Sequence, residues 1–319
     1  MTAHSPRVSD SDLLAGLMAV FGEPVSILAR RPNGWASTFP SDVITCQLTS
    51  GEEHELLCKY GSGALVRRAY GHRRGPGYEA HVYQRVLQPL SLSSPRFFGA
   101  YAPPDSGETW IMIGFLGEGA GVDEAASPIE AMRLAAAWLG SFHAANEARL
   151  TEGALDFLTR YSSDYYAQWP QRTQQFAGRW QARLPWLAAL CTRASECADD
   201  WLSVPPTIVH GEFTPSNVLI RGDSILPVDW ESAAVGLGEI DLVSLVENWP
   251  DHNVEMWQAE YRKARWAGSP PTDFERRMDL AWLYWHFRWL GERKDWFTSR
   301  HVMQRSVHLR AVGERLGLL

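Results

Sequence analysis

Glu212, Asn217 and Asp229 lie in the segment TIVHGEFTPSNVLIRGDSILPVDWESAAVGLGEID, residues 207–241. Thr207-Ile208-Val209 reads as a short apolar strand feeding a polar turn from His210 to Asn217. Val218-Leu219-Ile220 and Ile225-Leu226-Pro227-Val228 then read as a hairpin closed by Arg221-Gly222-Asp223-Ser224. Asp229 stands where the second of these strands ends, so a strand-end carboxylate faces a turn that holds Glu212 and Asn217. A donor set of oxygens alone suits a hard cation such as Mg²⁺, which keeps some of its water and takes one or two carboxylates together with phosphate oxygens.

The elements around this segment follow a simple order. Residues 10–22 predict an amphipathic helix, with Ser9 or Ser11 as cap and Gly22 as stop. Residues 43–48 and 55–60 predict a hairpin across the polar turn Thr49 to Glu53. The basic, glycine-containing stretch RRAYGHRRGPG, 67–77, leads to a helix over Tyr78–Leu87, and strands are expected at Phe97–Tyr101 and Trp110–Phe115. Gly117, Gly119 and Gly121 make a connector. Ser127-Pro128-Ile129-Glu130 then predicts a capping box with proline at the first helical position. Leu134, Trp138, Leu139 and Phe142 share one face of that helix. Residues 154–202 predict helices broken near Pro170 and Pro185, and 239–319 reads as helical again. The expected architecture is α+β and bilobal: a β-rich N-lobe over 1–116 and a mainly helical C-lobe over 117–319, with a cleft as the default ligand site.

Composition narrows the function classes. A net charge of −7 over 319 residues argues against a nucleic-acid partner. The cysteines Cys46, Cys58, Cys191 and Cys197 have neither CxxC spacing nor a neighbouring histidine cluster, so neither zinc nor a disulfide framework is expected. No apolar stretch reaches membrane-spanning length, and the polar N-terminus lacks the core of a signal peptide, so the expectation is a soluble, cytoplasmic protein with no membrane partner. The tryptophan stripe Trp282, Trp285 and Trp289 has helical spacing and reads as core packing, with a platform for a sugar or aromatic ring as the other reading.

The spacing of Glu212 and Asn217, five residues apart, resembles a kinase catalytic loop, and Asp229 in Val228-Asp229-Trp230-Glu231 resembles the following metal-binding aspartate. The His210-Gly211-Glu212 opening and the Asp-Trp-Glu run resemble the aminoglycoside phosphotransferase and choline-kinase-like family. That resemblance implies a protein-kinase-like fold, Mg²⁺, ATP or GTP as co-substrate, and a small-molecule hydroxyl as phosphoryl acceptor. It implies that Glu212 orients the hydroxyl and that Asn217 and Asp229 hold the metal. By the same likeness Lys59 contacts the α/β-phosphates, Glu79 is its ion-pair partner, and Asn33 to Thr38 is the phosphate-covering loop, with Ser37 and Thr38 as its hydroxyls. Backbone groups of Ile113 and Phe115 are placed at a purine edge. Asp241 braces the catalytic loop, His210 holds it by hydrogen bonds, and Trp138–Ala145, with His143, is the preceding helix.

Three departures from the family pattern stand out. Position 212 is glutamate where the common residue is aspartate, the hinge carries Gly114-Phe115 in place of acidic residues, and the phosphate loop holds a single glycine, Gly34. They support an alternative reading, a nucleotide-binding pseudokinase without turnover. Glu231 and Glu247 are candidates to pair with a substrate amine or to brace loops.

Overall fold

Along the strand Glu53–Ser62 the residues His54, Leu56, Cys58 and Tyr60 are buried, while Glu53 and Glu55 are exposed and Leu57 and Lys59 half-buried. This is the two-residue period of a strand with one face on a core. It appears in a computed structural model that describes residues 8–34, 39–62, 72–117, 121–180, 182–267, 269–294 and 299–319. The chain divides into two units, residues 1–121 with 217–232 and residues 122–216 with 233–319. The N-terminal unit thus reaches slightly past the boundary expected at residue 116 and also takes in the later hairpin, because strand pairing groups residues by contact and not by chain order.

In the first unit, α1 (Asp10–Phe21) begins at Ser9, whose hydroxyl accepts from the Asp12 N–H at 3.1 Å, and ends at Gly22 in the left-handed region, φ 73°. Strands β1 (Val25–Pro32), β2 (Ser41–Leu48), β3 (Glu53–Ser62), β4 (Phe97–Tyr101) and β5 (Glu108–Gly114) form an antiparallel sheet in the order β1-β2-β3-β5-β4. Leu13 and Leu17 of α1 pack with Ile44, Cys46, Leu56, Cys58, Trp110 and Met112. Helix α2 (Pro76–Val82) lies close to β3: a Cβ on Gly61 would come within 2.6 Å of Pro76 and Phe39. Glycine there lets the helix start seat against the strand. A single π turn, Tyr83–Leu87, continues α2, so the predicted helix has a wider last turn than expected. The hairpin of Val218–Arg221 and Ser224–Pro227 completes the unit.

The second unit is helical: α3 (Pro128–Glu147), α4 (Ser163–Phe176), α5 (Pro185–Glu196), α6 (Asp199–Leu202), α7 (Glu239–Val246), α8 (Asp251–Trp266), α9 (Phe274–Glu292) and α10 (Ser299–Arg315). Helix α3 packs chiefly on α8, and α9 on α4 and α7. Short strands Thr159–Arg160, Ala234–Gly236 and Thr207–Val209 form a small sheet in the order given. Two expectations are corrected. Pro170 sits inside α4, since the surrounding buried Tyr166, Trp169 and Thr173 outweigh the lost backbone donor. Ser127 precedes α3 without a side-chain cap bond, and Glu130 pairs with Arg133 one turn on, at 2.7 Å. No helix among the described residues is long and apolar enough to cross a membrane.

Candidate active site

One cluster, in the N-terminal unit, is built around Lys59. Its register partners are Ser41 on β2 and Ile111 on β5, and strand alternation turns its side chain away from the Leu56 and Cys58 core. There Nζ donates to Glu79 Oε2 at 2.7 Å and to Asp229 Oδ1 at 2.5 Å. The second oxygen of Glu79 accepts from the backbone N–H of Trp230 at 3.3 Å, so one buried carboxylate on α2 ties the lysine to the end of the hairpin. Val228 N–H donates to the Asn217 carbonyl at 2.9 Å, one step beyond the Val218–Pro227 pair, which sets residue 217 across from 228 with Asp229 next. Asp229 has φ 68°. Left-handed backbone is uncommon outside glycine, and aspartate and asparagine tolerate it best.

Glu231 adds a third acid in the short turn Trp230–Ser232. It is fully buried, 3.7 Å from Arg73 Nε, and neither of its oxygens has a hydrogen-bond donor among the described residues. Burial, helped by the Asp229 charge, pushes its pKa up to about 9. Burial also raises Glu79, against the pull of Lys59. Burial works against the Lys59 charge, but Asp229, Glu79 and Glu231 outweigh it and hold the ammonium well above its ordinary range. Asp229 and Glu79 around one ammonium leave surplus negative charge, and Glu231 adds oxygen atoms, which fits a hard divalent cation. Among the described residues no set of three His, Cys, Asp or Glu could hold a metal alone. A cation here therefore needs oxygens from a bound substrate, as Mg²⁺ commonly takes from phosphates.

A separate cluster lies in the helical unit, on the loop after the strand Thr207–Val209. Asp241, fully buried in the first turn of α7, accepts from two successive backbone amides, His210 N–H at 2.6 Å and Gly211 N–H at 2.8 Å. Gly211 has φ 84°, a conformation side chains rarely adopt, and so permits the bend that brings both amides to one carboxylate. His143 Nε2 lies 3.3 Å from the same Asp241 oxygen, its Nδ1 2.9 Å from the Tyr261 hydroxyl, and its carbonyl accepts from Thr207 at 2.9 Å. Arg265, between Glu147 and Glu239, donates to that tyrosine as well. The loop is thereby fixed from beneath. His210 Nδ1 accepts from the Glu212 N–H at 3.3 Å, and the Glu212 carbonyl accepts from Thr214 N–H at 2.7 Å.

The Glu212 carboxylate is ion-paired with Arg288 Nη2 of α9. Arg288 is wholly buried, with Glu292 Oε2 at 3.5 Å and the rings of Trp285 and Trp289 at 5.4 and 5.2 Å. This partner was not among the residues expected from the sequence. Its signal was an arginine set inside the aromatic run Trp282–Trp289, since a buried charge needs a counter-ion. Trp285 is core, as expected, and donates to Glu247 at 2.8 Å, while Glu247 also pairs with Arg305. Glu231 and Glu247 are thus both engaged within the protein.

The hinge needs a correction. Ile113 sits in the ladder between Leu57 and Phe97, and the Phe115 N–H is donated to the Glu55 carbonyl at 3.0 Å, so that amide is not open to a purine while the bond holds. Ser37 and Thr38, with the rest of 35–38, lie outside the described residues, as do 63–71 of the basic stretch and Gly119 of the connector.

A five-stranded antiparallel sheet with a lysine–glutamate pair, and a helical unit with a braced acidic loop, define a phosphotransferase of protein-kinase-like fold. Residues 78–280 match the model of the phosphotransferase enzyme family (APH), and the chain belongs to that family. Among solved structures it is similar to the macrolide 2'-phosphotransferase MphH apoenzyme from Brachybacterium faecium, at 19% identity and TM-score 0.56, covering 94% of this chain and 98% of that one. It is similar to a GDP complex of a variant aminoglycoside 2'-phosphotransferase-IIIa, at 14% identity and TM-score 0.61, over 96% and 97% of the two chains. A streptomycin–ATP–APH(2")-IIa ternary complex matches at 13% identity and TM-score 0.58, over 96% and 97%. No curated protein matches the chain.

Proposed function

We propose that this enzyme moves the γ-phosphoryl group of ATP or GTP to a hydroxyl of a small molecule. The observation that carries the reading is the Lys59–Glu79–Asp229 ion cluster on a hairpin whose other strand begins just after Asn217. Lys59 binds the α/β-phosphates, exchanging part of its pairing with Asp229 for phosphate oxygens, and Glu79 keeps it in place. Asp229 and Asn217 are the residues that would hold Mg²⁺, and a bound Mg²⁺ supplies charge neutralisation on the phosphates. Glu212 accepts a hydrogen bond from the acceptor hydroxyl and aims its oxygen at the γ-phosphorus. The bond from phosphorus to the β,γ-bridging oxygen breaks, the new oxygen–phosphorus bond forms, and the hydroxyl proton leaves through Glu212 to solvent. With a largely dissociative transition state, positioning outweighs proton abstraction.

The similar structures include a macrolide phosphotransferase and an aminoglycoside phosphotransferase, and this sets the first acceptors to try. A cytoplasmic location, where the nucleotide triphosphates are, suits four cysteines that are all free thiols. The test is turnover of Mg·ATP and Mg·GTP against a panel of macrolides, aminoglycosides, amino sugars and amino alcohols, read as nucleoside diphosphate and phosphorylated product. Transfer to at least one panel hydroxyl is expected. A folded protein that binds nucleotide but transfers to no acceptor, and not to water, would be a pseudokinase and would overturn this reading.

A further inference from the structure

The glutamate at position 212 carries its carboxylate about 1.5 Å further from the backbone than an aspartate would, one carbon–carbon bond. That is large beside the tolerance of a phosphoryl-transfer site. The loop is held by its own contacts: the two Asp241 oxygens accept from the amides of residues 210 and 211, and the Glu212 N–H donates to His210. What meets the longer side chain is Arg288.

The geometry points to Arg288 as the positioning residue that fits a glutamate to this place in the loop, clamping the Glu212 carboxylate at one point and keeping it ionised. This rests on the reading of Glu212 as the residue that orients the acceptor. Four observations support it. Arg288 is wholly buried in α9 and reaches Glu212 across a sequence separation of 76 residues, so the contact is built by the fold and not by local chance. Glu292, one turn along the same helix, lies at 3.5 Å from the same Nη2 and adds a second negative partner to the guanidinium. Trp285 and Trp289 flank its plane, a cation–π setting that suits a guanidinium better than an ammonium. Tyr284 of α9 and Tyr165 of α4, whose hydroxyls meet at 2.9 Å, are further titratable groups close to it, together with Tyr161, which stacks on Tyr165. Burial opposes the arginine's charge, but Glu292 and Glu212 outweigh it and keep it protonated at any working pH. An aspartate at 212 would withdraw from this clamp by the same 1.5 Å or so that the glutamate adds.

The test uses the full-length protein with Arg288→Lys, Arg288→Met and Glu212→Gln, each checked for folding by circular dichroism. Two readouts are taken between pH 5 and 9. One is transfer from Mg·ATP or Mg·GTP to water and to the panel acceptor that turns over. The other is the titration of the ¹³C-labelled Glu212 carboxyl by NMR, assigned by its loss in Glu212→Gln. Arg288→Met is expected to lower kcat about 10²-fold, the scale of a 1 Å misplacement, with the nucleotide KM almost unchanged. The Glu212 titration should rise by about one pH unit or more as the cation is lost. Arg288→Lys keeps the charge but not the fork, so it should rescue the titration yet recover only part of kcat. If Arg288→Met does not fold, Arg288→Lys decides: a folded lysine variant with unaltered kcat overturns the proposal. Unaltered kcat and titration in folded Arg288→Met overturns it too. Retained turnover in Glu212→Gln would instead remove the reading of Glu212, whereas a dead Glu212→Gln beside unaffected Arg288 variants removes the clamp alone.

Discussion

Asp229 and Glu212 are both carboxylates at kinase-like positions, and the protein neutralises them in opposite ways. Asp229 shares a single ammonium with Glu79, keeps a side chain 28% exposed, and has the fully buried Glu231 close by. Glu212 faces a planar guanidinium that is wholly buried and walled by tryptophans. An ammonium on a flexible stem is a point charge that changes partners readily, whereas an arginine fork is rigid once packed. The first arrangement suits a group that must exchange its counter-ion when phosphate and metal arrive. The second suits a group that must stay where it is. The difference separates binding from aiming.

The largest effect is expected at the exchangeable acid. Asp229→Asn keeps a side chain that tolerates φ 68°, so the backbone is spared and the charge alone is removed. Turnover should fall on the order of 10³-fold, the upper range for one preorganised electrostatic contact. A folded variant with near-normal rate in ordinary Mg²⁺ would end the contrast, because Asp229 would then need no cation. Next comes the fixed acid. Glu212→Gln retains size and a carbonyl for Arg288, and should lower kcat about 10²-fold while leaving nucleotide KM alone. Steady-state kinetics at varied nucleotide distinguishes the two: a rise in nucleotide KM for Glu212→Gln would move that residue into the nucleotide cluster.

The sequence reading went furthest where one local rule governs. The apolar runs 43–48 and 55–60 about a polar turn marked the hairpin that carries Lys59, the Ser9 and Gly22 caps bounded α1, and the apolar runs around Asn217 and Asp229 marked the second hairpin. It failed where a residue's role depends on what the fold brings from afar. Arg288 sits in the same helical stripe as the tryptophans, and periodicity reads that stripe as core without saying that an arginine's counter-ion is a loop 76 residues earlier. The cap expected at Ser127 failed because Glu130 had an arginine on its own helix to pair with. The Phe115 amide was assigned to a ligand because strand pairing to Glu55 is invisible until the sheet order is known.

A third prediction concerns what holds the fixed acid's loop. Both Asp241 oxygens accept from backbone amides, so Asp241→Asn turns an acceptor into a donor facing an amide. Leaving buried donors unsatisfied should cost about 2–3 kcal/mol. Chemical denaturation measures it, and a loss below about 0.5 kcal/mol, the range of ordinary surface substitutions, would mean that the loop is held by His210 and His143 without the carboxylate.

The last effect returns to the exchangeable cluster and has the opposite sign. The Glu231 pKa is about 9 in the fold and about 4.3 in an unfolded chain. Between those values the folded state keeps a proton that unfolding releases, so this residue's stabilisation is complete below about pH 4 and declines as pH rises toward 9. Glu231→Gln is nearly isosteric and cannot ionise, which removes that decline at the expense of a 3.7 Å pairing with Arg73. In metal-free protein kept in EDTA, the variant should match the parent near pH 4, and its advantage should widen by about 1 kcal/mol for each pH unit between pH 5 and 8, read as a Tm difference that grows with pH. Added Mg²⁺ with nucleotide should shrink the difference, because a cation beside Asp229 relieves the same repulsion that glutamine removes. Equal Tm values for parent and variant across pH 5 to 9 would show that the three acids do not share one field, and the contrast between an exchangeable and a fixed carboxylate would then rest on Lys59 alone.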